Sequence, residues 1–288
     1  TALFMPVYQA LIPALVPGPH LMNAISLNSI SFNAARVVGP LVAGFVMTRA
    51  GLGWCFALNA VGALIMVLLG RSLDVPRREV GTRPPLGRTL RAGLDYARRH
   101  PVIRALLLLS VTMSLFGFPY VVLMPAFAHD ALALEAEGFT LLFSAVGIGA
   151  VVGGLALASF GDVRRKGVLV VASATAFGLL LALLAHVQTF ATAAATLAVL
   201  GFAMIVSVAS LNTVLQISVA EEMRARVMSM LTVTLFGLPS LGAWGLGAIA
   251  DRAGIPIAYT IGGVAVAGVA LGISLFSPEV RDVGERPS

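Results

Sequence analysis

Nine near-continuous apolar stretches run through the chain, near 1–16, 21–48, 52–70, 102–128, 138–160, 167–186, 190–219, 224–250 and 256–277. Crossing a bilayer takes about 20 apolar residues in a helix, and all but the first of these stretches are close to that length or beyond it. Within lipid, each segment must satisfy every backbone N–H and C=O internally, so an isolated apolar run of this size has to be helical. The pattern therefore predicts an all-α, polytopic membrane helix bundle. Pro6, Pro119, Pro125 and Pro239 lie inside these stretches. Each is expected to kink its helix, which neighbouring helices tolerate in a membrane.

Only one long segment is polar, 71–101. In it Leu86, Leu90, Leu94 and Ala97 recur at helical spacing, while Arg88, Arg91, Asp95, Arg98 and Arg99 occupy the remaining face. Asp95 is placed to pair with Arg91 or Arg99 at i±4. This segment is expected to be an amphipathic helix on the inner leaflet, joining two bundles.

A shift of 203 residues superposes Gly39, Gly44 and Gly51 on Gly242, Gly247 and Gly254, Val16 on Val219, and Ser26 on Ser229. The stretches before residue 70 thus repeat those that close the chain. Parallel repeats of this kind define one large transporter architecture. The second half has six helices, and the first shows two and the end of a third. A twelve-helix protein lacking about the first three and a half helices is the expectation, with roughly a hundred residues upstream of Thr1. The divisions are 1–70, the end of the N-terminal half; 71–101, the linker; 102–277, the C-terminal six-helix half; and 278–288, a tail.

Composition agrees with this picture. Hydrophobic residues make up 58% of the 288 and charged residues 11%, against about 25% charged in a soluble domain. If the turn near Pro17–His20 is cytoplasmic, sixteen of the nineteen Lys and Arg fall on cytoplasmic segments. Arg49 and Arg252 fall on the other side, with Asp130, Glu135 and Glu137. Positive charge marks the inside, so the C-terminus is expected in the cytoplasm. The basic loops are expected to meet anionic lipid rather than nucleic acid. Cys55 alone can form no disulfide framework and no cysteine metal site. It is expected to be a packing residue.

Polar positions inside the spans are the candidate chemistry. Ser26, Ser29, Asn33 and Arg36 step by three, four and three residues, one continuous stripe ending near Pro40. A charge at the bilayer centre costs at least about 2.5 kcal/mol, so Arg36 must face the bundle interior or a watery cavity. There it either binds an anionic substrate group or a carboxylate, or it locks the bundle through carbonyls. Asn59, and Asn212 with Gln216 one turn apart, are either cavity-facing or interhelical glue. Tyr120, beside Pro119, is a substrate contact or an interface-belt residue. His129 and His186 lie at outer helix ends and are expected to be solvated.

Four stretches resemble the major facilitator superfamily, and within it the enterobactin-exporter-like branch of bacterial efflux permeases. They are LVPGPHLMNAISLNSISFNAARVVGPLVAG, LRAGLDYARRHPVIRALLLL, GDVRRKG and LQISVAEEMRARVMSM. The resemblance covers the whole chain and implies the major facilitator fold of two six-helix halves. Gly39, Pro40 and Gly44 are similar to a helix-five motif that marks proton-driven exporters, with Ala43-Gly44 where the family has Gly-Gly. Gly161, Asp162, Arg164, Arg165 and Lys166 match the superfamily's cytoplasmic hairpin motif, and Arg226 lies in the loop stretch between helices ten and eleven. Asp162 is expected to sit at the positive end of a neighbouring helix and hold an inner gate shut.

The function implied is export of a small molecule, such as a siderophore, drug or similar amphiphile, across the bacterial cytoplasmic membrane by alternating access and proton antiport. A non-transporting membrane interaction or sensor protein, or an inactive fragment, is the alternative. No phosphate-binding G-x-x-x-x-G-K-[ST] run occurs, and no nucleophile triad, paired carboxylates or metal-ligand cluster stands out. No enzyme, cofactor or metal is expected, and the protein is expected to be a monomer. The glycines of VGIGAVVGG lie inside an apolar span, so Gly149 and Gly153 are expected to form a small-xxx-small packing face, not a dinucleotide loop.

Overall fold

The computed structural model describes residues 42, 46, 49–72, 86–134, 136–159 and 165–283. Among these, every regular element is helical. The chain divides into two compact units, Thr1–Arg83 and Pro84–Ser288.

In the first unit Val42, Val46, Arg49 and Ala50 are helical. Gly51 then turns the chain at φ +87°, in the left-handed region where glycine avoids strain. Helix α1, Leu52–Ser72, follows for 21 residues, about 31 Å of helix and enough to cross the hydrocarbon core. Cys55 is half-buried at its start.

The second unit begins with α2, Leu86–Arg99. Then come α3, Pro101–Thr112, a five-residue π-helical segment, Met113–Gly117, and α4, Tyr120–Leu132. The helices α5 (Ala136–Ser159), α6 (Lys166–Leu184), α7 (Phe190–Ser218), α8 (Glu221–Ala253) and α9 (Ile255–Phe276) complete the bundle. A short α10, Pro278–Arg281, ends the described chain. Seven stretches are long and apolar enough to cross a membrane, and they match the last seven apolar windows of the sequence. Six of them belong to the second unit, α3 to α4 counting as one. The windows 1–16 and 21–48 lie outside the described residues, save for positions 42 and 46.

Local chemistry sets the boundaries. His100 is extended (φ −107°, ψ 108°) and Pro101 opens α3, where its missing N–H costs nothing. Thr189 caps α7 by accepting from the Thr192 N–H. Ala133 closes α4 at φ +50°. The N–H of Leu134 donates to the Ala128 carbonyl and that of Ala133 to the His129 carbonyl, at 2.9 and 3.1 Å, a Schellman pair.

Burial of a leucine among helices gains little where the alternative solvent is hydrocarbon, so close packing must hold this bundle. The small residues supply it. A β-carbon on Gly149 would overlap the Ala198 backbone, and one on Gly153 would meet Phe202 and Ile205. The expected small-xxx-small face thus brings α5 against α7. Some buried hydroxyls return to their own helix, Ser110 to the Leu107 carbonyl at 2.8 Å and Thr112 to the Leu108 carbonyl at 2.9 Å, whereas those of Ser114, Thr175 and Ser210 make no hydrogen bond among the described residues.

Helix α2 packs on the start of α8. Gly93 and Ala97 are buried, and a β-carbon on Gly93 would lie 3.3 Å from Met230 Sδ and 3.6 Å from Arg226 Cβ. The Ala220 N–H, at the N-cap of α8, donates to Tyr96 Oη at 3.2 Å. This differs from the expected face, for Leu94 is 41% exposed. Glycine at 93 permits the close approach, so the bundle takes the 93/97 edge and leaves Leu94 one side step away. Asp95 and Arg99 form no ion pair. An exposed pair of this kind gains too little to fix two long side chains.

Candidate functional site

The broken span at α3–α4 is the most unusual local structure among the described residues. Pro119 has no N–H to offer the Leu115 carbonyl four residues earlier. The helix widens instead, and the Phe118 N–H reaches back five residues to the Met113 carbonyl at 2.8 Å. Insertions of this π type mark strain or function when they interrupt an α-helix.

Neighbouring helices are shaped around this break. Gly242 of α8 approaches the Leu115 carbonyl, and Gly262 of α9 the Phe116 carbonyl, so closely that a β-carbon on either would overlap the oxygen. Cα–H groups meeting carbonyls at such crossings contribute weak hydrogen bonds. Gly117 packs on the Phe177 ring of α6, with a β-carbon there only 2.6 Å from Cε1. Ser207 of α7 donates to Met113 Sδ at 3.5 Å. Four helices therefore hold the π segment in place.

Tyr120 follows directly and is 1% exposed. Its ring packs on Phe177 with centroids 6.2 Å apart, and Tyr259 Oη donates to its carbonyl at 3.1 Å. Its own hydroxyl makes no hydrogen bond among the described residues. Tyr120 is thus an internal residue of the second unit in this structure, one turn from the break.

Gln216 donates through Nε2 to Asn212 Oδ1, so the two amides of α7 satisfy each other along the helix. Asn212 is half-buried and Gln216 exposed. Asn59 is exposed on α1. Arg226 is half-buried with Nη1 3.2 Å from Met223 Sδ, and its stem lies under Gly93 of α2. Arg165 is the exposed N-cap of α6, Lys166 its half-buried first residue. Cations at a helix N-terminus oppose the macrodipole by about 0.3–1 kcal/mol, so this end favours an anionic neighbour. At the opposite helix ends His129 and His186 are exposed, and His129 Nδ1 lies 2.9 Å from Asp130 Oδ1.

Ser29, Asn33, Arg36, Gly39, Pro40, Gly44, Gly161, Asp162 and Arg164 lie outside the described residues. Three features brought together here were missed in the sequence: the π segment, the Tyr96–Ala220 bond and the glycines facing Leu115 and Phe116. Pro119 was the one available signal, because a membrane proline orphans a carbonyl that some neighbour must approach. No group of three or more metal-ligating side chains occurs among the described residues.

A multi-pass, all-α bundle with glycine-lined crossings and one interrupted span is a membrane protein of the major facilitator type. The sequence profile of the transmembrane secretion effector family matches residues 1–287. The chain belongs to that family, within the major facilitator superfamily. It is also 27% identical over 238 residues to the enterobactin exporters EntS of Shigella boydii serotype 18 and of Escherichia coli O139:H28. The match takes in 82% of this chain and 56% of each relative.

Proposed function

We propose that the chain is part of a secondary transporter that exports a small amphiphilic molecule across the bacterial cytoplasmic membrane by alternating access, driven by proton antiport. The observation carrying this is the family match along nearly the whole chain, with relatives named as exporters of enterobactin. Enterobactin is accordingly the first substrate to try. In this reading 1–70 ends one six-helix half, 71–101 links the halves, 102–277 is the second half and 278–288 the cytoplasmic tail. Arg36, with Ser29 and Asn33, lines the path together with Asn59, Tyr120, Asn212 and Gln216. Gly39, Pro40 and Gly44 shape helix five. Gly161, Asp162, Arg164, Arg165 and Lys166, with Arg226, form the inner gate. The exposed Arg98, Arg99, Arg104 and Arg224 rest against anionic head groups of the inner leaflet, and the protein works as a monomer.

The test is efflux of enterobactin from a bacterium lacking its own exporter, with the gene for the complete protein supplied. Export should appear, should stop when an uncoupler collapses the proton gradient, and should vanish in Arg36→Gln with membrane insertion unchanged. Export that survives Arg36→Gln removes the path assignment. Insertion without any efflux removes the exporter reading.

A further inference from the structure

The end of the described chain folds back onto the first turn of α6. After α9 the backbone turns at Ser277 (φ −135°, ψ 68°) and α10 begins with Pro278 in its first turn. Val280 is fully buried, whereas Pro278, Glu279 and Arg281 beside it are exposed. Its receiver is Gly167, where a β-carbon would overlap the Val280 carbonyl and sit 3.2 Å from Arg281 Cα. Two residues on, the Val283 carbonyl accepts from the Gly167 N–H at 3.4 Å.

These contacts answer a need of α6. The first N–H groups of a helix have no partner inside it, and Arg165 at the N-cap does not cap this turn with its side chain. The returning tail supplies a carbonyl there instead. Gly167 shows no left-handed backbone, so its glycine serves the close approach and not a turn. Glycine in a helix costs about 0.5–1 kcal/mol relative to alanine, a cost the docked valine offsets by packing. α10 also touches α3 and α9, so this short helix packs on three others.

We propose that Ser277–Val283 is a positioning strap that caps α6 and holds Arg165 and Lys166 in place, so that this helix start cannot shift without releasing Val280. Its consequence for export rests on the gate role proposed above; the strap itself does not.

The test uses the full chain with Cys55→Ser, carrying either Val280→Cys or Glu279→Cys, in native membranes opened to a membrane-impermeant maleimide. Labelling of Val280→Cys should be at least about tenfold slower, since it requires local opening. Adding Gly167→Val should abolish the difference. Equal rates without that change overturn the docking. Trypsin then reports on positioning. Truncation after Ser277, which leaves α6 untouched and covers the case that Gly167→Val fails to fold, should speed cleavage after Arg165 and Lys166 severalfold and leave cleavage after Arg224 and Arg226 unchanged. Unchanged cleavage at every site, or a uniform rise, overturns the positioning role. Neither readout involves export, so failure of the exporter reading would not move them.

Discussion

Gly51 and Gly254 both hold a positive φ, +87° and +93°, and they are the pair that a shift of 203 residues superposes. Each closes one apolar helix and opens the next, α1 after Gly51 and α9 after Gly254. The Gly254 N–H donates back to the Ala250 carbonyl at 2.9 Å, and the Gly51 N–H to the Val46 carbonyl at 3.2 Å. An internal repeat detected in sequence as scattered glycines thus places a positive-φ glycine at the same helix junction in each copy, although Gly254 reaches back four residues and Gly51 five. Gly51→Ala and Gly254→Ala should each destabilise the protein by about 1–3 kcal/mol, the cost of holding a residue with a β-carbon in a sparsely populated positive-φ region. Free space surrounds the Gly51 β-position, so backbone strain, not collision, would be the cause there. Thermal unfolding in detergent should show similar shifts for both and, for the double variant, their sum. A neutral Gly254→Ala would refute the strain argument.

Tyr96→Phe removes the acceptor for the Ala220 N–H and nothing else. The site is exposed enough for water to replace it, so the loss should be near the low end of about 0.5–1.5 kcal/mol. Gly93→Leu is the harsher change, because it drives a side chain into Met230 and Arg226. If α2 is held by these contacts, a cysteine at Ala97 should become accessible to maleimide in Gly93→Leu and remain protected in Tyr96→Phe. Accessibility in the unaltered background would show that α2 is not seated on α8.

Ala133→Gly should stabilise. Ala133 carries the only positive φ of a non-glycine among the described residues, +50°, at the position where Schellman motifs favour glycine. Removing its β-carbon relieves up to about 1 kcal/mol, less the extra freedom that glycine gains when unfolded. A rise of a few degrees or less in the unfolding midpoint is the expected reading, and a fall would contradict it.

Hydropathy located the seven described spans because lipid leaves an apolar run no alternative to the helix. It stopped short where the helix leaves the membrane. The window at 224–250 became α8 from Glu221 to Ala253, since the polar turn that begins with Glu221 and Glu222 is still helical but lies outside the apolar run. Tail docking was invisible for a similar reason. Val280 is one apolar residue in a polar segment, and only the missing side chain of Gly167, more than a hundred residues earlier, gives it a seat. Tyr96 and Ala220 are equally remote in sequence. The amides Asn212 and Gln216 show a further limit: helical spacing predicted that they share a face, and they do, but it could not say that they bond to each other. The polar stripe through Arg36 is a property of spacing alone and rests on the export test.

The glycines of α8 offer the sharpest contrast. Gly242 lies against the Leu115 carbonyl at the π segment, whereas nothing described lies within 4 Å of the β-positions of Gly245 and Gly247. Gly242→Leu should therefore force α8 away from the break and cost about 1–3 kcal/mol, the usual range for overpacking. Gly245→Leu adds an apolar side chain where there is room and a better helix former in place of glycine, so it should be neutral or mildly stabilising. The 203-residue shift carries the argument to the first half, where Gly39 takes the place of Gly242 and Gly44 that of Gly247. If Gly39 meets a kinked helix as Gly242 does, Gly39→Leu should lower the unfolding midpoint as Gly242→Leu does, and Gly44→Leu should be tolerated. Equal tolerance at Gly39 and Gly44 would mean that the two halves share their turns but not their crossings. The glycine–proline pair beside Arg36 would then need an explanation other than close packing.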